Sequence, residues 1–293
     1  MQSKESKKEN RTLKELKDFW WRFKKNRAAL LGLFILVFYV FLAIFGDYIA
    51  PYPSRRTGVG LPFIKPFEDP DFIFGTDQLG RDLYSGYVEG ARVSCIVGFT
   101  AAGASAIIGI IVGSVSGYFG GRVDSLLMRI SEMVLVMPRL VLAFTMAAFF
   151  GSNILNIIFI LSILSWPGNA RQVRAQFLSI RELEFVAAAK SIGETKRAIM
   201  FREILPHALV PVIVTTSMAV GQAILLETGL SFLGLGDPRL PSWGLMLQDA
   251  QRQMRIAWWP AFFPGFAIFS LVLGTNLLGD GLNDALNPRL KER

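Results

Sequence analysis

The feature that most restricts this chain is a series of long apolar runs, two of which, Ala28–Phe45 and Val93–Gly121, contain no charge at all. The hydrocarbon core of a bilayer is crossed by about 20 apolar residues in a helix, so runs of this kind read as spans. The whole sequence agrees: 52% of its 293 residues are hydrophobic and the mean hydropathy is +0.41, values at which soluble domains are rare. The expected fold is all-α, with six transmembrane helices at 28–49, 93–118, 126–150, 154–168, 208–230 and 258–279. A cleaved signal peptide is the rival for the first run. It is disfavoured because the run is long and no small-x-small cleavage site follows.

Polar segments separate the spans. Residues 1–27 are strongly basic, and Leu13, Leu16, Phe19, Trp20 and Phe23 stand at helical spacing, as in a short amphipathic helix lying on a membrane surface. A proline-rich excursion covers 50–91 and holds Phe74-Gly-Thr-Asp-Gln-Leu-Gly-Arg-Asp82, where Arg81 and Asp82 could pair. In the second span, Gly109, Gly113 and Gly117 recur every four residues, which lets another helix approach closely. The third span carries Arg129 and Glu132, three apart and able to pair, then Pro138, expected to kink it, and Arg139. Segment 169–206 is the longest well-charged stretch after the N-terminus; its pattern suggests two short helices hinged at Gly193 and closed by Leu205-Pro206. Glu227 ends the fifth span, 231–257 is rich in Gly and Pro, and 283–293 is a basic tail.

Lysine and arginine counts orient the chain. With six spans and the N-terminus inside, 22 of the 31 fall on inside segments and 7 outside, leaving Arg92 and Arg139 at boundaries. The positive-inside bias therefore expects both termini, and the Gly193 segment, in the cytoplasm.

The same inventory excludes several chemistries. Cys95 is the single cysteine and His207 the single histidine, so there is no intrachain disulfide and no multi-histidine metal site. No Gly-Lys-Ser/Thr occurs, so a phosphate-binding loop is missing from this chain. A membrane-embedded hydrolase would need a His, Cys or paired-carboxylate constellation that is not here. An ion-coupled secondary carrier would need intramembrane acids or inverted repeats, and no repeat is visible. The basic balance lies between apolar runs, which fits a membrane protein rather than a nucleic-acid binder.

What remains is a six-span protein with a charged helical segment and no energy source of its own. Ala188-Ala189, Gly193 and Leu205-Pro206 resemble the EAA loop of permeases in binding-protein-dependent ABC importers. The family's leading Glu falls on Ala187, and its usual Ile before the Leu is Glu203. Phe74–Asp82, Leu230–Gly236 with Pro241–Met246, and Trp258-Trp-Pro through Asn276–Leu282 to Asp284–Arg289 are similar to signatures of the C-type subunit of the dipeptide/oligopeptide/nickel permease family. The resemblance runs from about residue 20 to the C-terminus.

It implies a type I ABC importer arrangement with a permease core over 92–282. It further implies a B-type permease companion, two ABC ATPase subunits that bind ATP and magnesium, and an extracytoplasmic binding protein that chooses the cargo. It implies no cofactor for this chain itself. The residues expected to engage an ATPase are Ala187, Ala188, Ala189, Lys190, Ile192, Gly193, Glu194, Arg197, Leu205 and Pro206. Thr215, Thr216, Ser217, Gln222 and Asn276 are candidate pore-lining groups, because intramembrane polar side chains face protein or water. Peptides are the expected cargo, with a nickel chelate or an oligosaccharide as the alternative.

Overall fold

The computed structural model describes residues 17 and 19–286. Residues 1–16 and 18, which include Leu13 and Leu16 of the expected amphipathic helix, and the end of the 283–293 tail lie outside the described residues. Residues 19–25 are helical and lead through Asn26, whose side-chain oxygen accepts a hydrogen bond from the Ala29 amide, into helix α1 (Arg27–Ile49).

An irregular excursion follows, and then α2 (Leu83–Phe119), the longest helix. Asp82 starts it by accepting hydrogen bonds from the amides of Tyr84 and Ser85 and from the Ser85 hydroxyl. The helix therefore begins ten residues before the span expected at 93–118. Helices α3 (Gly121–Val136) and α4 (Arg139–Phe150) come next, then α5 (Ile154–Ile180), the short α6 (Glu184–Ser191), α7 (Leu205–Leu230), α8 (Trp243–Gln251) and α9 (Trp259–Leu286). Among the described residues, five helical stretches are long and apolar enough to cross a membrane, and α3 with α4 makes a sixth if the bent pair is one span.

That bent pair corrects the expected continuous third span. The two helices meet at 90° rather than at a mild kink. Proline disfavours the helical conformation in the residue before it, and Met137 is extended, with φ −78° and ψ 138°. The expected ion pair of Arg129 with Glu132 is not among those formed by the described residues.

Other boundaries shift outward. Helix α5 does not stop at 168 but continues through Pro167 to Ile180, because Asn169, Ala170, Val173 and Phe177 keep one face buried. Helix α9 runs to Leu286, where Ala285 packs with Phe23 and Ala29. Glu227 does not end its span; it is buried inside α7, and one carboxylate oxygen accepts from Ser231 Oγ at 2.6 Å.

The helices pack in one bundle. The most extensive interface joins α2 and α5, where the glycine stripe of α2 lies on α5: a methyl placed on Gly113 or Gly117 would come within 2.6 Å of Cβ of Val173 or Phe177. Helix α9 sits between α1 and α7. One core gathers Tyr39, Tyr87, Ile224, Trp243 and Leu271; a second gathers Val97, Ile160, Leu161 and Leu230. Outward faces stay apolar, as on α1 with Phe34, Val37, Phe41 and Ile44, the composition a lipid-facing surface requires.

Candidate functional site

Two ends of the bundle carry polar structure. At one, α6 and the turn after it form a compact cap. Helix α6 ends in a Schellman-type closure: the Glu194 amide donates to Ala189 O and the Gly193 amide to Lys190 O, both at 3.1 Å. Gly193 takes φ +82°, a conformation that glycine adopts without strain. Thr195 then caps a new turn at Lys196–Ala198, its hydroxyl accepting from the Ala198 amide.

The second arm corrects the expected pair of short helices. From Lys196 the chain passes through a π-helical stretch, Ile199–Ile204, straight into α7, so this arm is the beginning of a long span. Leu205-Pro206 does not close the segment. Proline lacks an amide hydrogen and its ring crowds the carbonyl four residues back, and a wide π-turn immediately before it relieves that crowding.

The cap has two faces. Val186, Ala189, Ile199, Met200 and Ile204 point inward and pack on Val173 and Phe177 of α5 and on Ala208 and Val212 of α7, with Ile110 and Tyr118 of α2 at the edge. Ala187, Ala188, Lys190, Ile192, Gly193, Glu194 and Arg197 are exposed, as is Pro206, while Leu205 is half-buried. Ala189, expected to contact a partner, is instead part of the inner face. Ile192 is 78% exposed at the tip, a large apolar side chain set among charges. This is a small, knobbed surface fixed rigidly to α5 and α7.

The opposite end brings together motifs far apart in sequence. Arg81 does not pair with Asp82, which is occupied in capping α2. Its Nε donates to Asp77 at 2.5 Å and its Nη2 to Asp249 of α8 at 2.7 Å. Gln253 donates to Gln78, Trp259 Nε1 donates to Thr76 O, and the fully buried Trp243 donates to Tyr87 O. Thus Phe74–Asp82, Pro241–Met246 and the start of α9 interlock around a cavity of about 50 Å³, room for only a few waters. Next to it Asp237 accepts from Arg239 and from the Ile154 amide. The Arg239 guanidinium holds the Asp237 carboxyl down to about 2.

The candidate pore residues differ in their hydrogen-bond partners and exposure. Thr215 is committed to a helix–helix contact, donating to Gln172 of α5 at 2.7 Å. Ser217 donates to Val214 O of its own helix. Thr216 Oγ1 is buried without a hydrogen-bond partner. Gln222 and Asn276 are exposed on α7 and α9. A group that sequence reasoning missed is Asp124, bound by both Nε and Nη2 of Arg174. The two stand fifty residues apart, and no local spacing links them. Among the described residues no group of His, Cys, Asp and Glu is arranged to hold a metal ion.

The chain is similar in sequence to known proteins. The family described as "Binding-protein-dependent transport system inner membrane component" matches residues 105–292, and the "N-terminal TM domain of oligopeptide transport permease C" matches 15–67. The dipeptide transport system permease protein DppC of Bacillus subtilis (strain 168) is 39% identical over 282 residues, covering 96% of this chain and 88% of its own. The oligopeptide transport system permease protein OppC of the same organism is 37% identical over 277 residues, 94% and 90% of the two chains. The glutathione transport system permease protein GsiD of Pectobacterium atrosepticum is 37% identical over 279 residues, 94% and 91%.

Proposed function

The chain belongs to the inner-membrane components of binding-protein-dependent transport systems, and from that membership we propose that it is one of two permease subunits of an ATP-driven importer of peptides. A second, B-type permease completes the translocation path. Two ATPase subunits hold ATP and magnesium, and an extracytoplasmic binding protein delivers cargo. The chain is a multi-pass protein of the cell membrane, with both termini and the α6 cap cytoplasmic and the Arg81–Asp249 end outside.

The observation that carries this reading is the α6 cap. Its inner face is packed on α5 and α7, while Ala187, Ala188, Lys190, Ile192 and Glu194 on its outer face are exposed among the described residues. A rigid knob on two span ends transmits displacement from whatever binds it. ATP-driven closure of the ATPase pair would move the knob and, through α5 and α7, alternate the path between its two openings. Thr215, Thr216, Ser217, Gln222 and Asn276 remain the proposed polar groups of that path. Peptide cargo is favoured over a nickel chelate or an oligosaccharide by the relatives named for dipeptide, oligopeptide and glutathione transport.

The test is uptake by proteoliposomes containing this chain, its companion permease and both ATPase subunits, supplied with the binding protein. Labelled dipeptide should enter only with ATP and with all subunits present, and unlabelled peptides should compete where a nickel chelate or oligosaccharide does not. Transport by the purified chain alone would overturn the reading.

A further inference from the structure

Helix α3 is held to the bundle thinly. Only Met128 and Ser131 of its 16 residues are buried; Met128 and Leu127 meet Trp166 and Ala170 of α5 and the edge of α2 at Ile108 and Val112, and Val134 touches the rim of the second core. Both of its ends are breaks in the helical path. It joins α2 through Gly120 and Gly121, at φ +65° and +56°, and it meets α4 at the 90° break. Beyond that, α4 stops at Gly151, which is also at positive φ. By contrast α2, α5 and the α6 cap form one stiff body: the glycine stripe of α2 is seated on α5, Arg181 Nη1 donates to Gly117 O at 3.0 Å, and the cap packs on both.

Among the described residues, one polar cluster centred on Asp124 joins this segment to that body. In the first turn of α3, Asp124 Oδ1 and Oδ2 accept from Arg174 Nε and Nη2 of α5 at 2.5 and 2.6 Å, and Ser116 of α2 donates to Oδ1 as well. The pair is partly shielded, with Asp124 16% and Arg174 33% exposed. A two-pronged guanidinium–carboxylate contact fixes orientation as well as distance, and a carboxylate in a helix's first turn is further favoured by the helix dipole. Arg174 lies on the last part of α5, directly before the cap.

We propose that the Asp124–Arg174 pair is the link through which movement of the α6 cap reaches the α3–α4 elbow, so that both are positioning residues for coupling ATP hydrolysis to transport. Where the cap and α5 tilt, the fork carries the start of α3 with them, the two glycines absorb the change in direction, and the elbow at Met137–Pro138 turns it into displacement of α4. The proposal rests on the permease reading given above.

The experiment uses the complete transporter in proteoliposomes and measures peptide taken up per ATP hydrolysed. In Asp124→Asn, subunits should still assemble and hydrolyse ATP, while uptake per ATP falls about tenfold, the size expected when a coupling contact is lost. The exchanged pair Asp124→Arg with Arg174→Asp should recover most of it. Arg174→Lys keeps the charge but loses the fork, and should fall between the two; it decides the matter if Asp124→Asn does not assemble. Unchanged uptake per ATP in Asp124→Asn or Arg174→Lys would overturn the proposal. So would a proportional loss of hydrolysis and uptake that the exchanged pair does not repair, the mark of a merely structural contact. Absence of ATP-dependent uptake in the wild-type complex would instead defeat the permease reading, and the link with it.

Discussion

Gly193 is required by its backbone and not by its surroundings. A side chain at this position would meet nothing within 4 Å, yet φ +82° places any L-residue in the left-handed region, at a strain of roughly 1–2 kcal/mol. Asparagine tolerates that region and alanine less so. Gly193→Asn should therefore transport nearly as the wild type does. Gly193→Trp should insert into the membrane at normal levels but retain little co-purifying ATPase, because its ring projects from the outer face of the cap beside Ile192. Normal uptake by Gly193→Trp would exclude this surface as the docking site. The glycine was legible as a hinge from sequence, since a lone glycine after an alanine run is a helix stop. That Ala189 turns inward while Ala187 and Ala188 turn outward was not legible, because it depends on where the cap lands on Val173 and Phe177.

At the scale of helices, spacing within one segment predicted contacts well and their partners poorly. The four-residue stripe Gly109, Gly113, Gly117 announced a close helix–helix approach, but only the folded chain identifies α5 as the neighbour. Pro138 announced a bend, yet its 90° angle reflects the extended Met137 and the thin packing of α3. Pro206 suggested an ending and sits instead at the start of a span, because the preceding π-turn accommodates it. Arg81–Asp82 was the natural local pair, and capping of α2 claimed Asp82 while Asp249, far along the chain, claimed Arg81. The stripe makes a sharp prediction. Gly117→Leu should drive its side chain into Phe177 and the Arg174 backbone, overpacking that costs about 1–3 kcal/mol. Gly103→Leu on the same helix meets nothing within 4 Å and should be tolerated. Melting of the two variants in detergent should show a lowered midpoint for Gly117→Leu alone; equal melting would mean that α2 and α5 are not seated through the stripe.

For the whole molecule, orientation is the property that both polar ends depend on. The structure separates them cleanly: the cap with Lys190, Lys196, Arg197 and Arg202 lies at one end, and the interlocked Arg81, Trp243 and Trp259 loops at the other. The proposed orientation, with the cap in the cytoplasm, rests on the positive-inside bias, because lysine and arginine crowd that end and thin out at the other. The fold also determines where a probe can report. Asp82 would be a poor labelling site, being buried as the cap of α2. Leu79 and Met254, on the loop-rich end, are 48% and 57% exposed, and Ile192, on the cap, is 78% exposed. Cys95 is the sole native cysteine and is buried, so Cys95→Ala supplies a clean background. In intact cells a membrane-impermeant maleimide should label Leu79→Cys and Met254→Cys and leave Ile192→Cys untouched; in inside-out vesicles the pattern should reverse. Labelling of Ile192→Cys from outside intact cells would turn the molecule over. An external cap could not meet an ATPase, so that one result would refute the coupling role of Gly193 and of the Asp124–Arg174 pair together.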